Sequence, residues 1–345
     1  MKTRILPVSD AAIREACRIL RGGDLVAFPT ETVYGLGGHG LHSETVKKIF
    51  QAKGRPSTDP LILHLPSSDL ESTARAGIVA EPIPASARLL TMKFWPGPLT
   101  LILRKGSHVP AEVTAKLDTV AIRFPSHPDA QRLLGEFGHP LAAPSANRFG
   151  RISPTEASAV FQELEGKIPL ILDGGACSNG IESTVLSLCG PTPEILRPGS
   201  IAADQISGIL NVSVSQRSSL AKPDRPTESP GMLAHHYAPK TPLYLCALPI
   251  RNFESRYQYI VYGPASGSVI ANVQILAPDQ QPSTAAQNLY KTLRNADRAG
   301  SSAILIDPIP DSSWAPALRD RLMRASAGTA RWDEGNWSLL PRISG

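Results

Sequence analysis

Long apolar runs are missing from this chain. The longest, such as Leu99–Leu103, are strand-length, whereas a bilayer span needs about 20 apolar residues. The N-terminus carries charge at Lys2, Arg4 and Asp10 and has no long apolar core, so it does not read as a signal peptide. Cysteine is scarce. Cys17, Cys177, Cys189 and Cys246 show neither CxxC nor metal-like spacing and read as reduced packing residues of a cytoplasmic protein. Aromatics make up 6% of the residues and are not interleaved with clustered Lys/Arg, so the stacking platform of a single-strand binder is not evident. The GxxxxGK[ST] loop is absent, as are a Gly-x-Ser-x-Gly elbow and a nucleophile triad. His235-His236 has no third ligand at zinc-like spacing, so no protein-held metal is expected. No internal repeat is visible.

What is present is a globular amount of apolar residues, 42% of 345. That length suggests two domains. The net charge is +5, and residues 237–345 hold 11 Lys/Arg against 8 Asp/Glu. The basic excess is therefore spread along the chain, which suits anionic substrates as well as nucleic acid.

Helical periodicity begins at Ser9-Asp10, where Ile13, Ala16, Cys17 and Leu20 share a face, and stops at Gly22-Gly23. Further helices are expected over 43–52, 84–94, 129–137, 154–163 and 202–210. Strands are expected at 25–28, 60–65, 99–103, 119–124, 140–143 and 170–172. A hairpin-like pair is expected at 183–188 and 194–196. Residues 211–240, rich in Ser, Pro and charge, read as a linker. From Leu243 four apolar segments alternate with helices over 283–299 and 314–324, as in a small parallel α/β domain. The expected division is 1–210, 211–240 and 241–345.

The stretch Phe28–Gly37 joins a strand to a helix through Pro29, two threonines, a carboxylate, a phenol and glycines at 35 and 37, with Gly38 beyond. Loops at the carboxyl end of a strand are where α/β proteins hold ligands. Lys53 and Arg55, beside a proline turn, suit a polyphosphate or a solvated helix end. Arg123 lies inside an apolar run and needs a partner, either a structural ion pair or a substrate carboxylate. Ser145 and Asn147 can contact phosphate, sugar or a metal-bound water, or cap a helix. His64 on a strand reads as a structural histidine.

These blocks resemble those of a known family. Phe-Pro-Thr-Glu-Thr-Val-Tyr-Gly-Leu-Gly (28–37), Lys-Gly-Arg-Pro (53–56), Pro-Leu-Ile-Leu-His (60–64) and Trp-Pro-Gly-Pro-Leu-Thr (95–100) are followed in order by four more. These are Asp-Thr-Val-Ala-Ile-Arg (118–123), Ala-Pro-Ser-Ala-Asn (143–147), Gly-Ile-Glu-Ser-Thr-Val (180–185) and Leu-Arg-Pro-Gly (196–199). They are similar to the YrdC-like enzymes, the threonylcarbamoyl-AMP synthases. Pro230-Gly231-Met232 and His236-Tyr237-Ala238-Pro239 resemble the linker of the long, two-domain form. Asp59 stands where the family commonly has Asn, and Leu233-Ala234 replaces more polar residues.

The resemblance implies an α/β fold: a twisted open YrdC-like sheet domain with a positive concave face, plus a smaller Rossmann-like domain. It implies that L-threonine, bicarbonate and ATP give threonylcarbamoyl-adenylate and pyrophosphate. A downstream complex would then pass the group to tRNA. Thr30, His64, Arg123, the Ala143 backbone and Ser183 would hold threonine. Lys53, Arg55, Ser57, Thr119, Ser145, Asn147, Ser153, Arg197 and the linker residue Tyr237 would hold ATP, with Mg²⁺ on its phosphates. Lys53 and Arg55 would act on the leaving pyrophosphate. The short apolar runs give no reason to expect a membrane partner, and the positive face leaves room for weak RNA binding. Two rival functions are a non-catalytic RNA-binding module and a carbamoyl transferase acting on another acceptor.

Overall fold

Alternation along the strands sends odd and even side chains to opposite faces of a sheet, and this builds the larger part of the protein. The computed structural model describes residues 1–217, 236–264 and 271–342. Two compact units emerge: Met1–Phe149, Ser153–Ser178 and Glu182–Ala234 in the first; Gly150–Ile152, Asn179–Ile181 and His235–Gly345 in the second.

The first unit starts with β1 (Arg4–Pro7), α1 (Asp10–Arg21), β2 (Val26–Phe28), β3 (Gly35–His39), α2 (Ser43–Lys53) and β4 (Ile62–His64). It continues with α3 (Leu70–Arg75), α4 (Ala85–Phe94), β5 (Leu99–Arg104), β6 (Thr119–Arg123), α5 (Pro128–Phe137) and β7 (Leu141–Ala142). It ends with α6 (Ala157–Leu164), β8 (Leu170–Asp173), β9 (Thr184–Ser187), β10 (Glu194–Arg197), α7 (Ala203–Leu210) and β11 (Ser215–Gln216). The strands form one mixed sheet in the order β1-β8-β2-β3-β7-β4-β6-β5-β9-β10-β11.

Local signals explain several boundaries. The Ser9 side chain accepts from the Ala12 N–H at the start of α1. Gly54 ends α2 in the left-handed region at φ 62°, a conformation glycine adopts without a Cβ penalty. On one face of the sheet Leu63, Leu101, Leu103, Val120, Ile122 and Leu186 pack into the main core. On the other, Ile62, Ile102, Ala121, Val185 and Leu196 form a small apolar floor. His64, Arg123 and Thr119 belong to this second face by their spacing from Ile62 and Ala121.

Three features differ from the sequence expectation. Gly35–His39 is not loop but β3, antiparallel to β2, so the loop proper is 29–34. At Gly37 a Cβ would come within 2.8 Å of the Phe28 ring; this glycine lets strand and aromatic pack closely, rather than opening the backbone to a ligand. Residues 215–216 pair with β10 at the sheet edge, within the stretch read as linker; most of that stretch lies outside the described residues. Cys17, Cys177 and Cys246 are buried, but Cys189 is exposed.

The second unit holds β12 (Leu243–Cys246), β13 (Tyr257–Val261), β14 (Val273–Ile275), α8 (Pro282–Arg298), β15 (Ala303–Ile306), α9 (Ala315–Ala325), β16 (Gly328–Asp333) and β17 (Asn336–Pro341). Its sheet order is β14-β13-β15-β12-β16-β17, parallel except for β17. This is the expected parallel α/β pattern with a terminal hairpin added. Among the described residues no helix is long and apolar enough to cross a membrane.

Candidate active site

Three backbone segments are knitted together on the site face of the first sheet. The Tyr34 N–H donates to Pro154 O at 2.9 Å, Leu36 N–H to Pro144 O at 2.8 Å and Ala146 N–H to Tyr34 O at 2.8 Å. Loop 29–34 is thereby tied to the Ser145–Asn147 turn and to the start of the α6 segment. The Tyr34 hydroxyl donates to Gly175 O at 2.8 Å, fastening the loop from behind.

Arg123 sits at the centre. Its Nε donates to Gly97 O at 3.2 Å and its Nη1 to Thr32 Oγ1 at 2.9 Å. Its Nη2 lies 2.6 Å from Glu31 Oε1, and both side chains are buried. Burial pushes the Glu31 carboxyl up, but the Arg123 guanidinium and the nearby Glu31 and Ser126 backbone groups outweigh it and hold the carboxyl below its ordinary value. His64 faces Arg123 in the β4–β6 register. Burial, with Arg123 acting in the same direction, lowers the His64 pKa to about 3, so the ring is neutral near pH 7. The Glu31–Arg123 contact is close, yet no N–H is aimed along it. Among the described residues Glu31 Oε1 and Oε2, Arg123 Nη2 and His64 Nδ1 have no aligned hydrogen-bond partner.

The other residues implicated in threonine binding are spread around this centre. Thr30 Oγ1 donates to Val33 O at 2.6 Å and accepts from the Thr32 and Val33 N–H groups; its hydroxyl shapes the loop. The Ala143 N–H donates to Ile62 O at 3.0 Å. Ser183 Oγ shares a hydrogen bond with Thr100 Oγ1 at 2.8 Å and accepts from Arg197 Nη2 at 3.0 Å.

The nucleotide-side residues begin at the end of α2. Lys53 is buried, and its Nζ donates to Ser145 O at 2.5 Å and Asn147 O at 2.6 Å. Burial, then neighbouring Arg55, press its pKa well below the usual lysine value, against Asp59, Glu163 and Glu182. Arg55 donates to Asp59 O at 3.1 Å and Pro60 O at 2.8 Å, and its Nη2 pairs with Asp59 Oδ2 at 2.9 Å. Asp59, the residue that departs from the family pattern, is thus the counter-ion of Arg55. The Ser153 hydroxyl donates to Glu182 Oε1 at 2.6 Å. Ser57 is exposed, and Ser145 and Thr119 are half-buried; Thr119 shares a face of β6 with Arg123.

Tyr237 lies in the second unit, where its ring stacks on Tyr290 with centroids 5.8 Å apart and meets the Arg321 guanidinium at 5.4 Å. The partners that the sequence does not reveal are Glu31 and Thr32 for Arg123, Asp59 for Arg55 and Glu182 for Ser153. The signal for Glu31 was its place in the same loop as Thr30; nothing in the sequence said which cation it would meet. Chemically, the face offers an apolar floor, buried cations and hydroxyls, an arrangement for holding anionic substrates side by side.

Residues 18–199 match the family model described as Telomere recombination, and residues 201–327 match the one described as Threonylcarbamoyl-AMP synthase, C-terminal domain. Over 336 residues the chain is 40% identical to a threonylcarbamoyl-AMP synthase of Bacillus subtilis (strain 168), covering 94% of this chain and 95% of that protein. It is 38% identical to one of Pyrococcus abyssi (strain GE5 / Orsay), covering 92% and 95%. The crystal structure of P. abyssi Sua5 complexed with L-threonine superposes with a TM-score of 0.85 at 37% identity, covering 94% of this chain and 98% of that one.

Proposed function

The chain belongs to the threonylcarbamoyl-AMP synthase family, and from that premise we propose that Arg123 receives the threonine carboxylate while Lys53, Arg55 and Arg197 receive the phosphates of ATP. The family reaction joins L-threonine, bicarbonate and ATP into threonylcarbamoyl-adenylate, releasing pyrophosphate, and serves tRNA modification. The observation that carries the residue assignment is the set of unsatisfied buried atoms around Arg123, Glu31 and His64, beside a nearby group of buried cations.

The chemistry asks for positioning and charge neutralisation. Threonine's amine adds to CO₂ with loss of a proton, or to bicarbonate with loss of water, to form a carbamate. The carbamate oxygen attacks the α-phosphorus of ATP, and the bond to pyrophosphate breaks. Such phosphoryl chemistry depends on aligned reactants and fixed cations. The buried Lys53 and Arg55 would take up negative charge on the departing pyrophosphate. Their cationic side chains fit phosphate oxygens, so Mg²⁺ would arrive on ATP as part of that substrate. Ser57, Thr119, Ser145, Asn147 and Ser153 supply further donors along the nucleotide, and Thr30, Ala143 and Ser183 line the threonine side. The expected nucleotide contact of Tyr237 meets a buried ring packed on Tyr290 and Arg321 in the second unit, and the expected lid, 211–240, lies mostly outside the described residues. In the proposed division, 1–210 performs catalysis and 241–345 anchors the lid. Cytoplasmic location, delivery to a tRNA-modifying complex and weak RNA binding are parts of the same reading.

The test is pyrophosphate release from ATP, measured with and without threonine and bicarbonate. Dependence on both is expected. Release without threonine would favour a carbamoyl transferase acting on another acceptor, and no release would favour a binding module.

A further inference from the structure

We propose that Glu31 is a binding and specificity residue: paired with Arg123, it forms a receptor for the zwitterionic end of the amino acid, with Arg123 on the carboxylate and Glu31 on the α-ammonium. This rests on the threonine site proposed above. Buried polar groups in folded proteins nearly always have partners, and those that do not call for an explanation. Here four such atoms fall on three adjoining residues. Glu31 offers Oε1 and Oε2, both acceptors; His64 offers Nδ1; Arg123 offers Nη2, a donor. Glu31 and Arg123 are 6% and 3% exposed, so bulk solvent barely reaches them.

The arrangement matches the charge of an amino acid rather than that of a simple carboxylate. Three directions around the guanidinium are already taken by Gly97 O, Thr32 Oγ1 and Glu31. Arginine has five N–H donors, so two remain for a carboxylate. A carboxylate alone would bring a second negative charge beside Glu31, whose one ion-pair partner among the described residues is Arg123 itself. An ammonium on the neighbouring carbon supplies donors and cancels the repulsion. The pair thus attracts the zwitterion and resists its deaminated counterpart.

The experiment compares threonine with 2,3-dihydroxybutanoate, which replaces the amine by a hydroxyl, by calorimetry on the full chain. In the unmodified protein threonine should bind at least tenfold more tightly. Glu31→Gln should shrink that ratio to about threefold or less, because a hydrogen bond between charged groups is lost on one ligand only. A merely structural role would weaken both ligands equally and leave the ratio unchanged, which would overturn the proposal. Glu31→Asp keeps the charge with a shorter reach and should give an intermediate ratio; if the Gln variant does not fold, an unchanged ratio in the Asp variant overturns the proposal instead. If the unmodified protein binds neither ligand, the threonine site itself fails, and the Glu31 proposal with it. If it binds threonine but the ratio resists both substitutions, only the Glu31 proposal fails.

Discussion

In the eleven-stranded sheet buried ionic groups crowd one face, with Arg123, His64 and Glu31 holding atoms that no neighbour among the described residues satisfies. In the six-stranded sheet the half-buried carboxylate of Asp307, just past β15, accepts from the Ile250 N–H at 2.7 Å and the Tyr262 N–H at 2.9 Å. Burial raises the Asp307 pKa and those two donors oppose it. The buried Arg321 and Arg324 of α9 both pair with Asp320. A charge whose hydrogen bonds are made within the fold works as a staple between loops. A charge left with atoms to satisfy calls for a further partner, which the proposed ligand would supply on the first sheet.

The largest effect should come from Arg123→Ala. It strands Glu31 in the interior, and breaking a buried ion pair costs about 3–5 kcal/mol of stability. Threonine affinity should fall by about tenfold to a hundredfold, as expected for a charged hydrogen bond worth about 1.5–3 kcal/mol. ATP affinity should stay nearly constant. Calorimetry with each ligand checks this, and equal losses for both would count against the carboxylate clamp.

Lys53→Ala should come next. It removes the donor to two carbonyls and the cation proposed for the leaving pyrophosphate, and loss of one such electrostatic contact typically costs about 100-fold or more in turnover. Pyrophosphate release at saturating threonine measures it, and turnover equal to the unmodified protein's would remove Lys53 from the site.

A smaller effect concerns pH. The folded-state pKa of His64, about 3, lies below the value near 6.5 of an unfolded histidine. The unfolded chain therefore binds the proton first. The stability held above pH 6.5 is lost as pH falls, by about 1 kcal/mol between pH 6.5 and pH 5.5. Urea melts at the two pH values should show this difference, and His64→Gln should remove it. If the slope persisted in the variant, other groups would be its source.

The smallest effect should be at the staple. Asp307→Asn keeps one acceptor oxygen and loses one hydrogen bond, about 1 kcal/mol, with threonine binding unchanged. A change in threonine affinity there would break the contrast between the two sheets.

Much of this was legible in the chain. Ser9 and Gly22-Gly23 marked the ends of α1, and strand periodicity placed β5, β6, β8 and the β9–β10 pair, because caps and alternation are local. The expected helix at 154–163 instead begins at Ala157, since Pro154 O and Thr155 O are engaged by the Tyr34 and Cys177 N–H groups. That pull comes from residues more than 20 positions away and leaves no local trace. β3 was hidden because three of its five residues are glycine, Gly35, Gly37 and Gly38, a residue depleted in strands. In the site, the types of residue were readable and their pairings were not. Arg123 needed a partner, but only the fold brings Glu31, 92 positions earlier in the chain, to its guanidinium. Arg55 with Asp59 is the local exception, four residues apart within one turn.

The burial of Lys53 has a consequence beyond charge neutralisation. Burial disfavours the charged form of this ammonium, whereas an anion beside an amine favours it. At the proposed nucleotide site the interior and the polyphosphate therefore act on Lys53 in opposite directions, so the fold loosens the cation that the ligand would tighten.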